Sequence, residues 1–514
     1  MSNPVIAGTL WYKYAYIALT VVLILLGSIF VDSKQRLART LRVLGYILII
    51  AMVPLSIYVV GLVDSYAYPF LFLLGLVGIA STIHAEGYSR ILVGIARSLQ
   101  LPIDVFSVSL FLLYSSNILI EFVVFWIITE LIGFVAILAE GTQKAWKAAI
   151  QYLIVSALTA DFSLFTMLAV VSYHIGLDKA FIMTFQELTT LGIMVGPIIT
   201  ILLVIGYLAK AAIVPLHFWL PLAHSTAPSP ASAILSGVMV KMGIFGVLRM
   251  LEVVQPDLLL LEYLLIVLGS ITTIYGAAQA MVQRNVKVLL SYSTIAYTGI
   301  LMALLGVYIY TYFNTTVLYT LYVLMIAHGI AKALLFLNAG SIEILANTKD
   351  IYELGYLSRI DSNGAFAITV GVLSLMGAPS TIGFVAKLAT MVTLVSVALN
   401  YGLTVVPVII ALLFLSASGL VYGLKYLSSY YGGYKPIRSK VLKYYLLSWA
   451  ESYSSAINLG LGLIIPLLSP HITLGLLPLF VNFVAMLGLI TSYIFILRQK
   501  KIRTEEIWLG GAYP

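Results

Sequence analysis

The chain alternates long apolar runs with short polar ones. Fifteen runs, at roughly 14–31, 43–63, 67–84, 102–118, 119–139, 148–171, 192–214, 229–250, 258–282, 286–308, 316–338, 364–398, 404–424, 454–468 and 474–497, are apolar enough to predict spanning helices. Their hydrophobicity is continuous rather than alternating, which argues against a β-barrel. The segment 192–222 carries Pro215 and Pro221, and the run 364–398 is too long for one straight crossing and holds Gly377, Pro379 and Gly383. Both predict a broken helix. Lys210 precedes the first break and Lys387 follows the second, and five spans separate the two helices, so they cross in opposite directions. That arrangement suits an inverted repeat of two five-helix units. The predicted fold class is an all-α membrane protein with about 14–15 transmembrane helices, two inverted five-helix repeats and two broken helices.

Composition agrees. Of 514 residues, 61% are hydrophobic and 9% charged, against roughly 25% charged in a soluble domain. The start shows no clear cleavage-site pattern of a signal peptide. The absence of cysteine excludes disulfides and thiolate-bound iron–sulfur or zinc centres in this chain. Six scattered histidines form no metal-ligand spacing, so no cofactor or metal site is expected.

In a membrane chain the net charge of +8 is a topology signal rather than a nucleic-acid one. Counted between spans, twenty-one basic residues fall on one side, including Lys34, Arg36, Arg39, Arg42, Lys287 and the group Lys425, Lys435, Arg438, Lys440, Lys443. Lys13, Lys179 and Arg249 fall on the other. The positive-inside rule then sets the N-terminus outside and the C-terminus in the cytoplasm of a prokaryotic cell membrane.

Five ionisable residues lie inside spans: Glu130, Lys210, Lys241, Lys332 and Lys387. A lysine in hydrocarbon costs about 2.5–3.5 kcal/mol on insertion scales, so such residues are functional candidates. The plainer alternative is static ion pairing or snorkelling, which suits span ends better than mid-span Lys241. His328 and Lys332 are one turn apart and share a face. Lys210 and His217 would share one only if the helix ran on past Pro215. A Glu130–Lys210 pair that opens and closes would hold and release a proton, and a row of such groups would conduct. Asp161, Glu121 and Asp64 read as structural.

These stretches resemble the antiporter-like proton-pumping subunits shared by respiratory complex I, membrane-bound hydrogenases and Mrp-type cation/proton antiporters. The resemblance rests on KAAIVPLHFWLPLAHSTAPSPASAILSGVMVKMG (210–243), FWIITELIGFVAIL (125–138), QRNVKVLLSYSTIAYTG (283–299), AHGIAKALLFLNAG (327–340) and LSLMGAPSTIGFVAK (373–387). It implies a proton relay through Glu130 and Lys210, Lys241, His328 and Lys332, then Lys387, supported by His217, His224, Pro215 and Pro379. It also implies a division into N-terminal helices (1–101), an entry half-channel (102–250), an exit half-channel (258–424) and C-terminal helices with a tail (425–514). Leu222, Asn285 and Gln151 depart from the family pattern, where Asp, Asp and Lys are usual. The ending EEIWLGGAYP looks like tails of the hydrogenase branch.

The resemblance implies a non-redox, proton-translocating subunit of a complex I-like or hydrogenase-type assembly. Expected partners are other antiporter-like subunits, small membrane subunits and a redox module, with lipids and protons, Na+ as an optional further ion, and no nucleic acid. A Na+/H+ antiporter subunit of the Mrp type is the alternative, and a structural membrane scaffold a second.

Overall fold

The structure, a computed structural model, describes residues 4–59, 61–432, 445–468 and 476–498. Each predicted span contains a helix. The N-terminal group is α1 (Pro4–Ile29), α2 (Gln35–Tyr58), α3 (Tyr68–Leu92) and α4 (Arg97–Tyr114). Then come α5 (Leu119–Leu138), α6 (Gln143–Ile175), α7 (Pro197–Lys210), α8 (Trp219–Thr226) and α9 (Ser229–Val253). Next are α10 (Leu258–Val282), α11 (Val286–Tyr310), α12 (Thr315–Ala346), α13 (Ser362–Met376) and α14 (Ile382–Tyr401). The last are α15 (Leu403–Tyr431), α16 (Tyr445–Leu468) and α17 (Leu476–Arg498). Among the described residues, eleven helices are long and apolar enough to cross a membrane. The chain is a multi-pass membrane protein.

The breaks fall where proline and glycine were read. α7 stops at Lys210, the chain turns through Ala211–Phe218 with a cis Val214–Pro215 bond, and α8 resumes at Trp219. The second break, Gly377–Thr381, contains Pro379 and divides α13 from α14. The apolar cores of α9 and α12 are wholly buried and those of α3 and α11 nearly so, whereas those of α1 and α2 are mostly exposed or half-buried. The protein is therefore layered about α9 and α12, the two helices that carry Lys241 and Lys332.

Local capping explains the helix starts. Asn285, one of the departures from the family pattern, accepts hydrogen bonds from the Lys287 and Val288 amides at 2.9 and 3.3 Å and so caps α11. Asn caps as well as Asp, so the change there loses a charge and keeps the helix start. Asp361 caps α13 through the Gly364 amide at 2.9 Å. Gln151 lines a lateral groove with Lys147 and Phe218, and Leu222 packs against the core.

The charge count needs correction. Arg42, Lys287 and Arg249 were read as flanking residues, yet all three are buried. α2 begins eight residues before the apolar run read at 43, so Arg42 enters the bundle, where it meets Glu86 at 2.6 Å. Lys287 pairs with Glu343 at 3.0 Å, and Arg249 with Asp64 and Glu252. A buried charge needs a partner, and each has one. Lys435, Arg438, Lys440, Lys443 and the EEIWLGGAYP tail lie outside the described residues.

Candidate functional site

Five of the six ionisable candidates are no more than 1% exposed, and Lys387 is 8% exposed. None snorkels outward, so the static alternative of lysines reaching for a headgroup region fails on geometry.

Two of the candidates form an ion pair. Lys210, the last residue of α7, donates to Glu130 Oε1 at 3.1 Å and to the Tyr152 hydroxyl at 3.0 Å, with its Nζ 4.9 Å from the Tyr152 ring centroid. Trp126, one turn before Glu130 on α5, donates its indole N–H to the same Oε1 at 2.9 Å. Glu130 Oε2 has no hydrogen-bond partner among the described residues. Asp161, read as structural, acts electrostatically on both members of the pair.

The three remaining lysines are held differently. Lys241 ends a 3₁₀ turn, Met239–Lys241, that interrupts α9, and its ammonium donates to the Ser236 carbonyl at 2.5 Å. Mid-helix 3₁₀ segments free a carbonyl from the regular ladder. Lys332 donates to the Leu290 carbonyl at 2.9 Å and to the Ser293 hydroxyl. Lys387 reaches back across the second break to the last turn of α13, donating to the Leu375 and Met376 carbonyls at 2.8 and 3.3 Å. A helix C-terminus offers free carbonyls and partial negative charge, which suits an ammonium. No carboxylate pairs with these three lysines among the described residues.

His328 sits one turn from Lys332 on α12, as its spacing required. Its ring stacks on Tyr297 of α11, centroids 4.6 Å apart and planes at 15°. The Tyr297 hydroxyl donates to the Leu375 carbonyl at 2.8 Å, the same oxygen that Lys387 binds. Tyr297 thus joins His328 to Lys387. Lys241 and Lys332 both act electrostatically on His328. His224 is buried and stacks on Phe336 at 4.5 Å, within electrostatic reach of Lys241 and Lys332.

His217 does not join the row. Because α7 ends at Lys210, the condition for a shared face fails, and the His217 ring lies against Tyr275 at 4.7 Å. Pro215 and Pro379 lie in the two helix breaks. Sequence reading missed Trp126, Tyr152 and Tyr297. The available signal was aromatic spacing: Trp126 is one turn from Glu130, whereas the Tyr contacts join helices distant in sequence.

Comparison with known proteins follows this geometry. The transmembrane family model described as NADH:quinone oxidoreductase/Mrp antiporter matches residues 115–416, more than half of the chain. The chain belongs to this family. The matched stretch contains every member of the row from Glu130 to Lys387. The chain is similar to hydrogenase-4 component B of Escherichia coli K12, 36% identical over 200 residues covering 37% of this chain and 30% of that one. It is also similar to NAD(P)H-quinone oxidoreductase chain 4 1 of Picosynechococcus, 31% identical over 318 residues covering 60% and 56%. The chain thus spans only 30% and 56% of the length of these two curated relatives. In fold it is similar to a chain of the Mrp complex from Dietzia, with TM-score 0.71, 18% identity and coverage of 94% and 99%. A chain of the membrane-bound sulfane sulfur reductase, an archaeal respiratory membrane complex, gives TM-score 0.75, 17% identity and coverage of 97% and 88%.

Proposed function

We propose that this protein is a proton-translocating, antiporter-like membrane subunit of a complex I-like or hydrogenase-type redox assembly. The observation that carries the reading is the buried row: one ion pair, Glu130–Lys210, followed by three lysines held by main-chain oxygens. Intramembrane lysines without carboxylate partners are expensive, and a scaffold gains nothing from three of them. Within the row Glu130 closes on Lys210 and keeps the lysine protonated; when the pair parts, Lys210 releases its proton toward Lys241. From there the charge moves through Lys332 and His328 to Tyr297 and Lys387.

The relatives' names support the parent assembly, since they include a hydrogenase component and a quinone oxidoreductase chain. In this reading the chain has no redox centre of its own. Its partners are other membrane subunits and a redox module, its ligand is the proton, and it lies in a prokaryotic cell membrane with the N-terminus outside. The deciding experiment isolates the protein from its native membrane with its bound subunits and reconstitutes the complex in vesicles. Redox-active partners and substrate-driven acidification lost in Lys241→Ala are expected. Isolation with cation-exchange subunits alone, or pumping unchanged in Lys241→Ala, overturns it.

A further inference from the structure

A groove of about 510 Å³ opens between α2, α3 and α16, lined by none of the residues of the row. Apolar Val43, Leu44, Ile83 and Leu446 line it, and its polar and aromatic rim carries Arg36, Arg39, Tyr445 and Trp449. Arg36 and Arg39 occupy the first turns of α2, so both guanidiniums lie at the end of a spanning helix, at headgroup depth. Trp449 and Tyr445 are exposed on the facing helix, and Trp449 stacks on Tyr453 at 5.4 Å.

The charges behind this rim are uneven. Glu86 accepts from Arg39 at 2.6 and 3.1 Å and from Arg42 at 2.6 Å, and lies 3.7 Å from Arg90. Arg42 also approaches Asp104 at 3.8 Å, and Arg90 approaches Asp32 at 3.5 Å. Arg36 forms no ion pair among the described residues. Arg39, Arg42 and Arg90 thus meet Glu86, Asp104 and Asp32, three charges against three, which leaves Arg36 without a partner carboxylate at the mouth of the groove.

We propose that this groove binds an anionic phospholipid. One phosphodiester at the rim balances the surplus charge, with Arg36 and the exposed edge of Arg39 donating to its oxygens. One acyl chain then lies along Val43, Leu44, Ile83 and Leu446, and the Trp449 and Tyr445 rings flank the glycerol region. A packed partner helix fits the groove less well, because it would cover Arg36 without supplying an anion. The same bound lipid would reach, through Arg39 and Glu86, the buried network that fastens α2 to α3 and α4, so it would brace the N-terminal helices.

The test uses the full-length protein within its native complex, incorporated into nanodiscs of equal phosphatidylglycerol and phosphatidylcholine, then extracted in mild detergent and weighed by native mass spectrometry. Wild type is expected to retain phosphatidylglycerol in preference to phosphatidylcholine, and R36Q to lose about fivefold of that preference, one guanidinium's share at a membrane surface. Arg36 is exposed, so R36Q folds normally and carries the test; R39Q, which also disturbs Glu86, is read beside its thermal unfolding. Equal retention of both lipids, or a preference unchanged in R36Q, overturns the proposal. So does displacement of the lipid by millimolar inorganic phosphate, which marks a free-anion site. A photo-crosslinker placed at Trp449 should capture lipid; capture of a protein subunit also overturns it.

Discussion

The Tyr297 ring lies 4.6 Å from the imidazole of His328, nearly parallel to it, while its hydroxyl donates to the carbonyl that also holds Lys387. One side chain therefore touches two members of the row that belong to different helices. Tyr297→Phe keeps the stacked ring and removes only the hydroxyl. Proton translocation by the reconstituted complex should fall by about tenfold or more, the lower end of what a positioned proton-transfer group supplies. Thermal unfolding should move little, since a single net hydrogen bond is worth about 1 kcal/mol. Unaltered translocation would remove Tyr297 from the path.

Glu130 is the only carboxylate that pairs with a lysine of the row among the described residues. Glu130→Gln preserves shape and the Trp126 contact but leaves Lys210 without its anion. Translocation should be lost while the protein still assembles. Glu130→Ala should also destabilise, by about 3–5 kcal/mol, because it strands a buried ammonium. Pumping rates and melting temperatures of the two variants separate the effects; equal melting with intact pumping would count against the latch.

Gly377 has φ +76°, a left-handed conformation, and a Cβ placed there would meet the Lys387 side chain at 2.6 Å. Gly377→Ala should therefore cost about 1–2 kcal/mol from the backbone alone and also push Lys387 off the Leu375 and Met376 carbonyls. The expected result is a lower melting temperature together with slower translocation. Gly94, whose φ is +82° with open space around it, supplies the control: Gly94→Ala should affect stability only.

Asp361 caps α13 from the loop before it, and burial pushes its carboxyl above the ordinary value of 3.8, against hydrogen bonds from the Gly364 amide and the Tyr430 hydroxyl. A carboxyl whose pKa rises on folding binds its proton more tightly when folded. Protonation then favours the folded form, and that contribution fades as pH climbs from the unfolded value through the folded one. Asp361→Asn removes the titration and keeps a capping side chain. Between about pH 4 and pH 7 the wild type should lose more thermal stability than this variant; parallel profiles would contradict the assignment.

Much of this was legible before any coordinates. Lysines in the middle of apolar runs must be buried, and Lys210, Lys241, Lys332 and Lys387 are. Two of the prolines inside long runs, Pro215 and Pro379, stand at helix breaks, whereas Pro54 sits within the continuous helix α2. Charges near the ends of runs were misread. A helix such as α2 starts in polar sequence and carries Arg42 inward, where Glu86, 44 positions away, waits for it. Hydropathy sees only the chain beside a residue, so it files Arg42 and Lys287 with the loops. The Tyr297 link was hidden for the same reason: nothing in a sequence ties a phenol on one helix to a carbonyl at the broken end of another.

Lys241 and Lys387 rest on peptide oxygens and Lys332 on one beside the Ser293 hydroxyl, and a peptide oxygen neither titrates nor swings aside. Such a cradle greets an ammonium and its neutral amine with the same fixed dipole. No bond between opposite ions has to be torn for a cradle to empty. Neighbouring cradles filled together repel one another across a poorly screening interior. Under the proposed conduction the queue advances by eviction: an arrival at one place expels the occupant of the next, and only the gate at Glu130 must be pulled open by an outside hand.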